Sequence, residues 1–202
     1  MVSETLQRPA PRLAPGSAAE IGRVNFLIAR ALGAVAGSGP PNLFTTLARH
    51  RRLFRPWLRF AGALMPGGKL PRVDSELVIL RVAHNCRSEY EWRHHERLGP
   101  AAGLTVAQVE AAATDDATGS PELSHRQQLL VRAADELHGA RELSDELWAQ
   151  LSGQLSEVEL IELCMLVGHY EMLAMTLNSL RVQPDEFSAR GVPKIVRLAS
   201  RR

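Results

Sequence analysis

Apolar residues recur at helical spacing along most of this chain, and the breaks between the periodic stretches carry glycine and proline. Ile21, Val24, Leu27, Ile28, Ala31 and Leu32 share one face and predict a helix over 18–36, stopped by Gly37, Gly39, Pro40 and Pro41. Shorter helices are expected at 42–49 and 51–63, the second ending at Pro66-Gly67-Gly68. Beyond them the S/T-x-x-E/Q capping box recurs at Ser88/Glu91, Thr105/Gln108, Ser124/Gln127 and Ser156/Glu159. These boxes open predicted helices at 88–98, 105–113, 124–138 and 156–181, with Gly99-Pro100, Gly119 and Gly139 as stops. Further helices are expected at 72–86 and 144–152. No segment alternates with period two between turn signals, so the class is all-α.

Residues 1–17, with Pro9, Pro11 and Pro15 and no periodicity, read as an N-terminal arm, either disordered or laid across a neighbouring subunit. Residues 18–185 form the helical domain, and 186–202 a basic C-terminal tail. A length of 202 residues suffices to close one hydrophobic core. The pairing of Glu76-Leu77 with Glu162-Leu163 aligns two apolar helix patterns, a weak internal echo in which only the first copy carries a polar cluster.

Charge narrows the function classes. The net charge is +2, and the arginine groups at 49–59 and 190–202 lack the interleaved aromatics of a nucleic-acid platform, so no nucleic-acid partner is expected. Cys86 and Cys164 are too far apart in sequence to assemble a CxxC motif, and a reducing cytoplasm is the expected location. With no leader-like start and no stretch read as reaching the ~18 apolar residues of a membrane span, no membrane partner is expected.

The chemistry concentrates in Arg72 to Gly103. Glu91 and His95 are i and i+4 on one helical face, where a carboxylate beside an imidazole raises its basicity and makes an acid–base pair. Glu76 joins them if the hairpin closes at 86–88, with Tyr90 nearby as a donor and Trp92 as a pocket wall. Each has a plainer account. Ser88 and Glu91 are explained by helix capping, Glu76 by a first-turn position near the helix dipole, His94 by the surface, His138 by a helix end, and Cys86 by a small buried hydrophobe. His169, within an apolar helix, is either a hydrogen-bonded core histidine or a pocket residue. Glu76, Glu91, His95 and His169 are also legitimate metal ligands, but their spacing is not distinctive, and no metal and no cofactor are expected.

The run Glu-Leu-Val-Ile-Leu-Arg-Val-Ala-His, followed by Ser88-Glu89-Tyr90-Glu91-Trp92 and His95, resembles the central helical hairpin of the carboxymuconolactone decarboxylase and alkylhydroperoxidase D superfamily. Asn42-Leu43-Phe44 through Leu53-Phe54, Pro66-Gly67-Gly68-Lys69-Leu70 and Leu160 to Leu180 look like its decarboxylase-like branch. The resemblance implies a multi-helix bundle around that hairpin, assembled as a dimer, trimer or hexamer. Laid on the alkylhydroperoxidase frame, the glutamate falls on Glu76, the tyrosine on Tyr90 and the histidine on His95, while Ser88 and Glu91 stand where the redox cysteines would be. It therefore implies acid–base catalysis by His95, Glu76 and Glu91 on a small carboxylated or lactone-like metabolite, with Tyr90, Ser88, Trp92 and His169 at the substrate. Arg81 or Arg93 are candidates to hold a carboxylate. The alternatives are a peroxidase-like activity, with Cys86 a single thiol lacking a resolving partner, and a non-catalytic metabolite- or protein-binding module.

Overall fold

The computed structural model describes residues 9–187, and among them it is all-α: ten α-helices and one short 3₁₀ turn, with a lone bridge between Ser38 and Phe187. In chain order the helices are α1 Ala18–Ile21, α2 Arg23–Ala36, α3 Asn42–Leu47, α4 Arg51–Leu64, α5 Arg72–Asn85, α6 Glu89–Ala102, α7 Val106–Ala111, α8 His125–Ala140, α9 Asp145–Ser152 and α10 Glu157–Leu180. The expected tail beyond residue 187 lies outside the described residues.

Helix α5 is the axis. Every residue from Asp74 to Ala83 is buried, which is why its sequence is not amphipathic: α6, α7, α8 and α10 surround it. Val78, Ile79 and Val82 pack with Leu130 of α8, Leu147 of α9 and Leu163 and Leu166 of α10, while Leu77 and Leu80 pack toward Val109 of α7. Its buried charges are matched: the Arg81 guanidinium donates to both Asp135 oxygens at 2.6 and 2.9 Å and to the Ala112 and Thr114 carbonyls, and Asp74 accepts from Arg126 at 2.8 Å. Arg81 is thereby committed to the scaffold and does not hold a substrate carboxylate.

Helix α10 corrects one expectation. By length and composition it is apolar enough to cross a membrane, with a mean hydropathy of 1.4 over an 18-residue window, but 61% of that window is buried within the fold, as befits a core helix. Its Glu162, the echo of Glu76, accepts from the Lys69 and Leu70 amides at 2.6 and 3.0 Å. A Cβ on Gly68 would lie 2.0 Å from that carboxylate, which accounts for the glycine. The echoed glutamate thus anchors the loop before α5.

Local chemistry decides the boundaries that differ from expectation. Gly22, at φ 87°, splits the expected 18–36 helix into α1 and α2, and a Ser17/Glu20 capping box opens α1. Gly99-Pro100 does not stop α6, which runs to Ala102 and ends on Gly103 at φ 119°. Gly99 is instead a close-packing position, where a Cβ would stand 3.0 Å from Leu104 Cδ1. Gly139 likewise lies inside α8, which ends at Ala140 and is capped by Arg141 at φ 69°. Residues 9–17 run along this same chain and not free of it: the Arg12 amide donates to Leu180 at 2.9 Å and that of Gly16 to Thr45 at 3.1 Å.

Candidate functional site

The hairpin of α5 and α6 turns within three residues, Arg87 taking a left-handed φ of 50° and the Ser88 amide donating to Ala83 at 2.8 Å. This tight closure puts residues 76 and 95 face to face. His95 Nδ1 lies 2.6 Å from Glu76 Oε2, both side chains being buried, and the Arg72 guanidinium stands 2.7 Å from Glu76 Oε1. That second contact is an ion pair in distance but lacks hydrogen-bond alignment, since Oε1 has no hydrogen-bond partner. Because Nδ1 is the nitrogen engaged with Glu76, Nε2 is the nitrogen left for a ligand. Glu76 lies in the second turn of α5, not the first, so the helix dipole does not explain it; its contacts with Arg72 and His95 do.

Glu91 departs from both sequence readings. Ser88 occupies the N-cap of α6 but its hydroxyl receives no cap hydrogen bond, so the expected capping box is not formed. Glu91 does not pair with His95 either: neither of its carboxyl oxygens has a hydrogen-bond partner, and the side chain is buried. Burial pushes its carboxyl up to about 8, opposed weakly by the nearby Ser88 hydroxyl, whose approach falls short of a formed hydrogen bond. A carboxyl at that value keeps its proton in the larger fraction of molecules at neutral pH.

Glu91 and His95 line one cavity of about 390 Å³, enclosed by α3, α4, α6 and α10 and walled by Phe44, Trp57, Leu58, Leu98 and Leu173. Arg72, His169 and Tyr170 line it too. His169 stacks on Trp57 with centroids 6.1 Å apart, meets Phe60 edge-on at 5.3 Å, and has no hydrogen-bond partner on Nδ1. Burial drives its imidazole down to about 4, leaving it neutral. The hydrogen-bonded core histidine is therefore not what is found. Trp57 Nε1, also on the cavity wall, is buried without a partner. Tyr170 sets its ring edge-on to His95 at 5.3 Å, and burial raises its phenol.

The other expected substrate residues divide. Tyr90 lines the cavity, but its hydroxyl donates to Asp185 at 2.6 Å and accepts from the Leu43 amide at 3.1 Å, a latch between α6, α3 and the chain after α10. Ser88 and Trp92 line a different, open depression of about 650 Å³ together with His84, Asp115 and His138. His94 is half-buried, not on the surface: it stacks on Tyr90 at 4.6 Å and its Nε2 meets Asp185 at 3.0 Å. Arg93 pairs with Glu89 at 3.0 Å on the exposed face of α6 and is absent from the cavity wall. The cation there is Arg72, whose i,i+4 spacing to Glu76 was the readable signal. Trp57 and Tyr170 carried no motif and are placed by packing alone.

Comparison with known proteins places the chain among helical relatives. The model of the carboxymuconolactone decarboxylase family matches residues 51–130, which include Arg72, Glu76, Glu91 and His95. No curated protein matches. An uncharacterized peroxidase-related protein with an alkylhydroperoxidase AhpD core, from Ralstonia eutropha JMP134, superposes with a TM-score of 0.77 at 16% identity, covering 96% of this chain and 98% of that one. A peroxidase-related protein from Silicibacter sp. TM1040 gives 0.70 at 15% identity over 89% and 90% of the two chains. The apo debrominase Bmp8 gives 0.67 at 15% identity over 93% and 97%. At such identities the likeness is one of fold.

Proposed function

We propose that this chain, which matches the carboxymuconolactone decarboxylase family model over residues 51–130 and shares the fold of an alkylhydroperoxidase AhpD core, is an acid–base enzyme that moves a proton on a small, largely apolar metabolite bearing a carbonyl or lactone and a carboxylate. One observation carries the reading: a buried Glu91 with no hydrogen-bond partner and a His95 oriented by Glu76 line the same cavity. Two groups whose surroundings assign them opposite proton roles are what proton transfer beside a carbonyl requires.

In the proposed reaction the Glu91 carboxylic acid donates its hydrogen to the substrate carbonyl oxygen as electrons flow onto it. His95 Nε2 takes the proton from the adjacent carbon, giving an enol, and returns it to another carbon in an isomerisation. In a decarboxylation the electrons of the bond to the departing CO₂ form the enol instead; a proton taken up from solvent and delivered through His95 Nε2 replaces the CO₂ on carbon, and the enol hydrogen returns to the Glu91 carboxylate. Arg72 is the cation available to a substrate carboxylate, and His169 Nδ1 and Trp57 Nε1 are unpaired polar atoms for the remaining oxygens. A thiol-based peroxidase reading would fall on Cys86, which is not among the residues lining this cavity and whose thiol is pushed up to about 11 by burial and by Glu171 and Glu91. Such a thiol is a poor nucleophile at neutral pH.

The test is proton–deuterium exchange into a panel of small keto and lactone acids, followed by NMR in deuterated buffer. Exchange above the buffer rate is expected with the wild type and should fall about 10²–10⁴-fold in His95→Asn and in Glu91→Gln, with Cys86→Ser unaffected. Ligand binding without exchange would make the protein a binding module, and peroxide turnover that disappears in Cys86→Ser would favour the peroxidase reading. We also propose that the chain works as a homo-oligomer, supported by the exposed apolar stripe Val158, Ile161, Met165, Met172 and Met175 on α10.

A further inference from the structure

Apart from the residues that line the cavity, three chemistry-bearing side chains meet that the proposed reaction does not use. Cys86 caps the end of α5, His138 lies in the last turn of α8, and Glu171 is in the middle of α10. Cys86 Sγ is 3.9 Å from His138 Nδ1, and that nitrogen is 2.6 Å from Glu171 Oε1. Their ligand atoms all lie within 4.8 Å of one another. We propose that Cys86, His138 and Glu171 form a second site that binds a borderline divalent cation of the zinc class, independent of the acid–base reading.

The donor set is one thiolate, one imidazole and one carboxylate, which zinc and cobalt accept in tetrahedral geometry with a fourth position open to water. With metal–ligand distances of about 2.0–2.3 Å, the edges between such donors are about 3.4–3.6 Å. The Sγ to Nδ1 separation of 3.9 Å is close to that, and the 2.6 Å contact opens modestly when the cation replaces the shared hydrogen. A dication with a thiolate and a carboxylate is charge-neutral. The remaining requirements are met as well. Glu171 Oε2 is engaged by the Arg141 guanidinium, which orients the carboxylate while leaving Oε1 for the cation. The Asn178 side-chain amide donates to the Cys86 carbonyl at 3.0 Å and fixes the cysteine backbone. His138 also lines the open depression of about 650 Å³, which supplies an entry path.

Cobalt(II) titration of the chelator-treated full-length protein is the test. One equivalent should bind with an intense thiolate-to-cobalt charge-transfer absorption and visible bands of tetrahedral strength, and one equivalent of zinc should displace it. Cys86→Ser should abolish the charge-transfer band, and His138→Gln and Glu171→Gln should each weaken binding about 10–100-fold. Cys164→Ser and His95→Asn should leave the titration unchanged. The wild-type spectrum decides the matter even where a variant folds poorly. Absence of the band, its loss in Cys164→Ser, or its full retention in both His138→Gln and Glu171→Gln would overturn the proposal.

Discussion

Glu91 is the residue where local and tertiary forces part company. Its place three residues after Ser88 suits a helix cap, and its place four before His95 suits an ion pair, yet it makes neither contact and is buried alone. This has a thermodynamic signature. A carboxyl whose native value is about 8 against a usual 4.5 binds a proton in the folded state that the unfolded chain has released, so stability falls as pH rises between those values. The effect is present below about 4.5 and lost through about 8, with a ceiling of about 5 kcal/mol at 1.36 kcal/mol per unit. Glu91→Gln keeps the shape of the neutral acid and should abolish this slope. Urea unfolding at pH 5 and pH 9 is expected to show a wild type weakened at pH 9 and a variant nearly unchanged between the two. Equal pH slopes in both proteins would mean that Glu91 ionises normally and is no general acid. His169 works in the opposite direction: its imidazole is lowered to about 4, so the stability it contributes is present above the usual 6.5 and is lost as pH falls toward 4. An acid-side loss absent from His169→Phe would report it.

At the scale of elements, signals that act within four residues were readable and signals that depend on packing were not. Thr105, Ser124 and Ser156 form the capping boxes their sequences announce, because both partners lie on one helical turn. Ser88 has the same local pattern, but the tight turn at Arg87 and the burial of Glu91 leave its hydroxyl without a partner. Ser156→Ala should therefore cost about 0.5–2 kcal/mol, while Ser88→Ala, removing a buried hydroxyl that bonds to nothing, should be neutral or stabilising. Chemical denaturation of the two variants side by side separates a working cap from a vestigial one. The same division governs the site. Glu76 and His95 were legible from their register on the hairpin; the sequence reading passes over Arg72 for Arg81 and Arg93, although its i,i+4 spacing to Glu76 is there to find. Trp57 and Tyr170 come from helices remote in sequence, and the Cys86, His138 and Glu171 meeting requires three helices to converge, which no local pattern encodes.

At the scale of the whole molecule, α10 has two apolar aspects with different fates. Leu160, Leu163, Leu166, Val167 and Leu177 are buried against the rest of the chain, whereas Val158, Ile161, Met165, Met172 and Met175 stay 43–67% exposed. The exposed set advances by 3, 4, 7 and 3 residues, the spacing of a seam that packs on another helix, so it reads as a continuous stripe and not as scattered surface residues. A second copy of the chain presents the same stripe, and the two match if the helices pair side by side. Flexible methionines suit such a contact because they repack without strain. Ile161→Glu combined with Met165→Glu places two charges on the seam without touching the buried aspect. Sedimentation is expected to show the wild type as an oligomer and the double variant as a smaller species with unchanged helical circular dichroism. A monomeric wild type would remove the assembly from the proposal and leave the acid–base site to act within one chain, since every residue assigned to it here comes from α4, α5, α6 and α10 of a single copy.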